Sequence, residues 1–215
     1  MKNVLIVATD GMEDMEIAPL IEIPGWTKVV EGVEQINVKI AGWDSPVKMM
    51  HGTKIVPDLK MDQVKVDDFD AIVIPGGWPG TKFFDLTYGE KFQKFLHEAD
   101  KKQKLLVTLC FGILPVGNAG LLKGKRSAIF TSNTPFMCQE FKNKLVGMGA
   151  VYTDAAIHHE GHIISNIGPA VANEVAFQMV EKLIGAESAA KIQDMMMWKN
   201  VCPKDLKWTG AVAKK

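Results

Sequence analysis

The sequence has few cysteines and no surplus of charge of either sign. Its 215 residues include only three cysteines, which are far apart and form no CxxC pair. This spacing excludes a disulfide scaffold and a cysteine zinc site. The 25 basic residues balance the 25 acidic ones, and without a basic surplus we expect no binding to nucleic acid or to an acidic membrane. The three cysteines are Cys110, Cys138 and Cys202, and we assign a role only to the first.

Long apolar runs are also missing. No stretch reaches the roughly 18 consecutive apolar residues of a membrane-spanning helix, and the apolar run at the N-terminus is too short for a secretory signal. Free thiols and 12 methionines fit a reducing compartment. We therefore expect a cytoplasmic protein without a membrane partner.

The chain nevertheless has enough apolar residues for a full core. Hydrophobic residues make up 47% and charged residues 23%, which is typical of soluble globular proteins. This length favours one domain. We predict a single domain over residues 1–185, followed by a C-terminal helix and tail over residues 186–215, in which the helix covers 186–198 and the tail 199–215.

Short apolar runs alternate with longer amphipathic stretches. The short runs are rich in valine and isoleucine and end at turn residues, which is typical of strands buried on both faces. Strands that alternate with helices predict an α/β fold with a mostly parallel central sheet between two helical layers. The predicted strands are 4–9, 36–42, 70–77, 105–110, 127–132 and 162–166, and the predicted helices are 14–30, 87–101, 112–121, 136–147 and 170–184.

The residues that follow the strands are the candidates for a functional site, because ligands of open parallel sheets bind at the carboxyl ends of the strands. Cys110 lies at the end of a predicted strand, and Gly112 follows at the start of a helix, as in a nucleophile elbow. A helix N-terminus favours a thiolate, so we expect a lowered pKa for Cys110. A buried and inert cysteine fits the same position.

Two further segments at this edge carry groups that could act with a thiolate. The N–H groups of Gly76 and Gly77 can approach a ligand and, together with the N–H of Phe111, form an oxyanion hole. An ordinary strand-to-helix turn fits the two glycines equally well. Glu16 is either a partner of the helix dipole or a buried, protonated donor to the thiolate. Its sequence neighbours Glu13 and Asp14 fit these two roles equally well.

Five ordered segments resemble the ThiJ/PfpI superfamily, the group that contains the parkinsonism-associated deglycase. They read VLIVATDGMEDME, AIVIPGGWPG, LLVTLCFG, LLKGKRSA and HIISNIGP. The resemblance covers residues 2–185 and implies a flavodoxin-like three-layer sandwich and a homodimer. It also implies that Cys110 is the reactive cysteine, that Glu16 contacts it, and that Gly77 and Phe111 supply the oxyanion N–H groups.

The resemblance implies one of two functions that depend on Cys110. The first is a glyoxalase- or deglycase-type reaction on a small carbonyl compound, which needs neither an organic cofactor nor a metal. The second is a non-enzymatic oxidative-stress sensor or chaperone that uses oxidation of the same cysteine.

The sequence departs from the family pattern where a histidine base is expected. PfpI-type proteases carry histidine directly after the cysteine, whereas this chain has Phe111, and the loop at 132–135 has no histidine either. Protease activity is therefore not expected. His51 and Gly76 are further candidate residues near the site. An ordinary exposed loop histidine fits His51 as well.

Three histidines near residue 160 raise the question of a metal site. Glu160-Gly161 predicts a hairpin turn that would place His159 opposite His162. A catalytic zinc site has three protein ligands as a rule, and no third ligand is evident. We expect a polar hairpin and no metal.

Overall fold

The computed structural model describes residues 1–131 and 135–198, without the side chains of 135–138. The predicted tail at 199–215, most of the loop at 132–135 and the side chains of Cys138 and Cys202 lie outside the described residues. Within the described part, no helix is both long enough and apolar enough to span a membrane.

Seven strands form one central sheet, and two pairs of short strands lie outside it. The order in the central sheet is β10-β11-β7-β6-β1-β2-β5, and all neighbours are parallel except β10 and β11. The predicted mostly parallel sheet is confirmed. The strands are β1 (Lys2–Ala8), β2 (Ile36–Gly42), β3 (Val47–Lys48), β4 (Lys54–Ile55), β5 (Leu59–Lys60), β6 (Ala71–Ile74), β7 (Leu105–Thr108), β8 (Arg126–Ser127), β9 (Val151–Tyr152), β10 (Ile157–Glu160) and β11 (Ile163–Asn166).

Helices cover the sheet in two groups. α1 packs against α6 and α6 against α7, while α2, α3, α4 and α5 contact one another in turn. This arrangement is the flavodoxin-like sandwich that the sequence predicts. The helices are α1 (Asp14–Gly25), α2 (Phe83–Thr87), α3 (Glu90–Lys101), α4 (Ile113–Asn118), α5 (Pro135–Gly147), α6 (Ala172–Ile184) and α7 (Ala186–Met195).

The inner strands are buried because both faces of the sheet are covered. The last five residues of β1 and all four residues of β6 are inaccessible to solvent, which explains their continuous apolar sequence. α7 packs on α6 with Ala189 and Ile192 buried. The division of the chain at residue 185 stays a prediction.

The predicted strand at 127–132 is wrong for most of its length. β8 ends at Ser127 and pairs only with β9, outside the central sheet. The N–H of Ala128 does not join a strand ladder but donates to the Oγ of Ser165 on β11, at 2.9 Å. A side-chain oxygen therefore replaces the carbonyl of a neighbouring strand.

The hairpin at residue 161 forms as predicted, but its register differs from the expected one. His159 lies opposite Ile164 and not opposite His162, because the turn takes up residues 161 and 162. The side chain of His159 bonds to Gln178, whereas that of His162 pairs with Asp100 at 3.0 Å. The two histidines therefore do not face each other.

Ser165→Ala should destabilise the protein by about 1–3 kcal/mol, because the buried N–H of Ala128 loses its acceptor. Urea denaturation measures this free energy of unfolding. Ser188→Ala, on α7, removes a hydroxyl that makes no described contact and should be neutral. Equal stability of the two variants would contradict the role given to Ser165.

Candidate functional site

Cys110 lies at the end of β7 in a backbone conformation that side chains rarely adopt. Its φ is 53°, which costs on the order of 1–3 kcal/mol and tends to occur at functional sites. Two residues later the chain passes so close to β6 that a Cβ on Gly112 would stand 1.9 Å from the carbonyl oxygen of Ile74. The predicted nucleophile elbow has the geometry that this crossing of strand and helix requires.

Glu16 lies directly beside the cysteine and is completely buried. One carboxyl oxygen accepts a hydrogen bond of 2.6 Å from the N–H of Gly76. The other has no nitrogen or oxygen partner within the described residues, and the carboxyl interacts with the Cys110 thiol. Gly76 is closely packed between the two side chains, since a Cβ there would stand 2.7 Å from the Cβ of Cys110 and 3.0 Å from Glu16.

Burial controls the protonation of this pair. It raises the pKa of Glu16 to about 8, and the negative charge of Glu13 adds to the rise, whereas the N–H of Gly76 opposes it. Burial also raises the pKa of the Cys110 thiol, as does the charge of Glu16, while the N–H of Phe111 lowers it. The lowered pKa that the helix N-terminus predicts for Cys110 is therefore wrong, because desolvation outweighs it.

The two groups titrate as a coupled pair, because a charge on either disfavours a charge on the other. At neutral pH, Glu16 keeps its proton. It then exerts no repulsion on the sulfur and can donate a hydrogen bond to it. A negative charge on Cys110 is therefore less unfavourable when Glu16 is protonated.

The pair opens into a small cavity of about 60 Å³. Its walls are mostly apolar, and the rings of Phe111 and Phe130 meet edge to face at 5.6 Å between centroids. A cavity of this size admits only a small group beside the sulfur. The cavity is lined by Glu13, Glu16, Met50, Gly76, Gly77, Trp78, Cys110, Phe111, Phe130 and Pro169.

Two backbone N–H groups belong to residues that line the cavity. That of Phe111 hydrogen-bonds to the Cys110 side chain, and that of Gly77 makes no hydrogen bond within the described part of the chain. On the opposite side Gly168, with φ at 122°, would place a Cβ 3.7 Å from the sulfur. A side chain at residue 168 would therefore narrow the cavity.

His51 lies outside the cavity but contacts Glu13, which lines the cavity. The His51 side chain is largely exposed, and its Nε2 lies 3.4 Å from the carboxylate of Glu13. The backbone N–H of His51 donates to Asp14 at 3.0 Å. Sequence position alone does not single out Glu16 from Glu13 and Asp14, whereas in the structure Glu13 and Glu16 line the cavity and Asp14 does not.

A profile of the DJ-1/PfpI family matches residues 2–182. The chain belongs to the DJ-1/PfpI family. The match includes all the site residues described above and confirms the resemblance to the ThiJ/PfpI superfamily.

Individual relatives agree with this assignment. Protein DJ-1alpha of Drosophila melanogaster is 28% identical over 92% of this chain and 84% of its own length. A protein named as a deglycase in Thermococcus kodakarensis is 30% identical over 78% of this chain and 90% of its own length. The crystal structure of Drosophila melanogaster DJ-1beta matches with a TM-score of 0.77 at 23% identity and covers 91% of this chain and 97% of that chain. This last similarity shows the common fold.

The raised pKa of Glu16 should make stability depend on pH. In the folded protein the pKa is about 8, against an ordinary value of 4.5. The stability that the retained proton contributes is present in full below about pH 4.5 and is lost as the pH rises through about 8. Between these values the wild type should therefore lose stability relative to Glu16→Gln.

Thermal unfolding of both proteins from pH 4.5 to 9 measures this difference. Glu181→Gln, at an exposed position of α6, is the matched control and should follow the wild type at every pH. A constant difference between wild type and Glu16→Gln would mean that Glu16 is ionised in the folded protein throughout.

Proposed function

We propose that this protein converts small carbonyl compounds in a glyoxalase- or deglycase-type reaction, with Cys110 as the nucleophile. The observation that carries the proposal is the combination of one thiol, one buried carboxyl and two N–H groups around a cavity of about 60 Å³. The family includes a relative that is named as a deglycase. The reaction requires neither an organic cofactor nor a metal.

Each group at the site has a separate task in this reaction. The Cys110 thiolate adds to the aldehyde carbon of a 2-oxoaldehyde such as methylglyoxal, and the carbonyl π-electrons move to the oxygen. The N–H groups of Gly77 and Phe111 hold that oxygen. Glu16, which keeps its proton at neutral pH, donates to the sulfur before the addition and to the oxygen after it. Glu16, now a carboxylate, takes the hydrogen of the former aldehyde carbon as a proton and returns it to the neighbouring carbon, so that the hemithioacetal becomes a thioester. Water finally releases the acyl group from the sulfur as a hydroxy acid.

A protease is not part of the proposal. Phe111 occupies the position after the cysteine, and a histidine is absent from the described lining of the cavity. The amine that leaves a cleaved peptide bond must gain a proton, and a histidine that has accepted one from the thiol would donate it. The small cavity also leaves little room for a peptide on either side of the sulfur.

The second candidate function is a non-enzymatic sensor or chaperone that responds to oxidation of Cys110. The same N–H groups that would hold an oxyanion can hydrogen-bond the oxygens of a sulfinate, and a protonated Glu16 can donate to them. The backbone of Gly168 comes so close that a Cβ there would stand 3.7 Å from the sulfur, which limits the room for larger reactants. In this case a partner protein would respond to the change in the cavity.

We further propose that the protein is a cytoplasmic homodimer. α1 begins at the cavity and exposes Met15 and Ile21 on its outer surface, and a second copy could cover these apolar side chains. The reducing cytoplasm would keep the Cys110 thiol free.

Cys110→Ala should abolish the conversion of methylglyoxal to lactate, because no other described group at the site can form the carbon–sulfur bond. Lactate is measured enzymatically after incubation with purified protein. Cys202→Ala, which removes a thiol outside the described residues, should retain the wild-type rate. Turnover in Cys110→Ala, or none in the wild type, would contradict the enzymatic proposal.

Mild peroxide should add two oxygen atoms at Cys110 and leave the protein folded, because the N–H groups and Glu16 stabilise a sulfinate. Intact mass, peptide mapping and circular dichroism measure the product and the fold. Glu16→Asp moves the carboxyl group away from the sulfur, so Cys110 in that variant should be oxidised beyond the sulfinate or more slowly. Glu16→Gln keeps a hydrogen-bond donor, so its Cys110 should be oxidised more like that of the wild type. Clean sulfinate formation without any turnover would favour the sensor.

A further inference from the structure

A second cavity, much larger than the one at Cys110, lies at the same edge of the central sheet. Its volume is about 690 Å³, within the range of about 300–1,000 Å³ that is typical of small-molecule sites. None of the described residues that line it also lines the cavity at Cys110. The proposed reaction therefore gives this larger cavity no role.

The larger cavity begins where two parallel strands end side by side. Gly42 ends β2 and Lys60 ends β5, and the two residues are partners in the register of these strands. Ligands of open parallel sheets bind at such carboxyl ends. Because β6 and β1 lie between β7 and β2, this cavity is three strands away from the end of the strand that leads to Cys110. Its opposite wall is α3.

Three aromatic rings form an apolar wall of the larger cavity. Phe92 is buried, and its ring centroid lies 5.6 Å from that of Trp43 and 5.8 Å from that of Phe95. Trp43 and Phe95 are only partly buried and line the cavity. Contact with Phe92 holds both rings in place before any ligand arrives, which lowers the entropic cost of binding. Their size and position suit a planar aromatic group.

Lysine side chains lie around this aromatic wall. Lys60 from the sheet and Lys91 from α3 both line the cavity, and neither has an ion-pair partner within the part of the chain that the structure describes. Lys94 adds a third amine. It pairs with Glu90, but both side chains are exposed, and such a pair contributes little. Several amines at one cavity favour a ligand with more than one negative charge, such as a phosphate group.

Two carboxyl groups in the lining narrow the choice of ligand further. Glu98 pairs with Lys102 at 2.7 Å. Asp62 has no partner among the described residues. An unpaired carboxylate accepts hydrogen bonds from hydroxyl groups, as acidic residues do from the ribose of bound nucleotides. The lining therefore suits a ligand that combines an aromatic ring, hydroxyl groups and an anionic group.

We propose that the larger cavity binds a nucleoside phosphate. The base stacks on Trp43 and Phe95, the amines of Lys60 and Lys91 attract the phosphate, and the ribose hydroxyls donate to Asp62. The nucleotide is bound without a covalent step. The inference does not depend on the proposed reaction at Cys110.

Isothermal titration calorimetry of the full chain with AMP, GMP, CMP and UMP tests the site. Stacking tolerates different bases, so we expect binding of more than one of them, and a higher salt concentration should weaken it. For the best nucleotide, the free nucleoside and ribose 5-phosphate should each bind at least about tenfold more weakly, because the first lacks the anion and the second lacks the ring. Absence of binding for all four nucleotides would overturn the inference.

Substitutions in the aromatic wall test the stacking. Trp43→Leu keeps an apolar side chain but removes the ring, so it should weaken nucleotide binding about 5- to 150-fold. Trp43→Phe keeps a ring and should retain most of the affinity. Equal losses in the two variants would indicate a packing role for Trp43 and contradict the stacking.

Substitutions of the lysines test the recognition of the phosphate. Lys60→Gln and Lys91→Gln should each weaken nucleotide binding about tenfold and reduce its dependence on salt, whereas their effect on the free nucleoside should be small. Lys101→Gln is the matched control, because Lys101 belongs to the same helix as Lys91 and does not line the cavity. Unchanged affinity in both lysine variants would place the nucleotide elsewhere and overturn the inference.

Cys110→Ala separates this inference from the proposed function. Because the two cavities have no described lining residue in common, this variant should bind the nucleotide as tightly as the wild type. Loss of nucleotide binding in Cys110→Ala would place the nucleotide at the catalytic cavity and overturn the inference. A wild type that binds the nucleotide but does not convert methylglyoxal would contradict only the proposed function.

Discussion

The close approach of Gly112 to the carbonyl oxygen of Ile74 is the constraint on which this site depends. A Cβ at Gly112 would stand 1.9 Å from that oxygen, so the chain can leave β7 at this angle only with glycine here. In the same turn Cys110 has a φ of 53°. This conformation lifts the sulfur away from the strand and holds it above the ends of β6 and β7, where the N–H groups and Glu16 lie. The strained backbone at Cys110 thus accompanies the placement of its thiol at the cavity.

The position of each carboxyl group along the chain determines its environment. Glu16 lies in the first turn of α1 and is completely buried, and burial favours its protonated form. Glu13 lies before the first turn, where the chain leaves β1 and water and His51 reach its carboxylate. Three residues therefore separate a buried carboxyl group from a partly exposed one at the same cavity. A shift of α1 by a single residue would place both groups on other faces.

The sequence predicts the parts of this structure that follow from local patterns. Continuous apolar runs predict β1, β6 and β7, because burial on both faces removes the polar alternation, and Gly112 after Cys110 predicts the elbow. The strand at 127–132 could not be assigned correctly, because its apolar residues are buried without a strand partner and Ser165, 37 residues away, accepts the N–H of Ala128. The raised pKa of Cys110 depends in the same way on packing from distant segments, whereas the helix N-terminus is visible in the local sequence.

The aromatic residue after Cys110 does more than take the place of a histidine. The Phe111 ring packs at 4.2 Å between centroids on Phe141 of α5 and at 5.6 Å on Phe130, so it forms part of the wall between the sheet and the helical layer. A histidine in this environment would be desolvated, which disfavours its protonated form, and its ring N–H would lack an acceptor among these rings. A Cys–His pair therefore requires several coordinated changes in this wall. Among the described residues, carboxyl groups and no histidine share the lining of this cavity with the thiol.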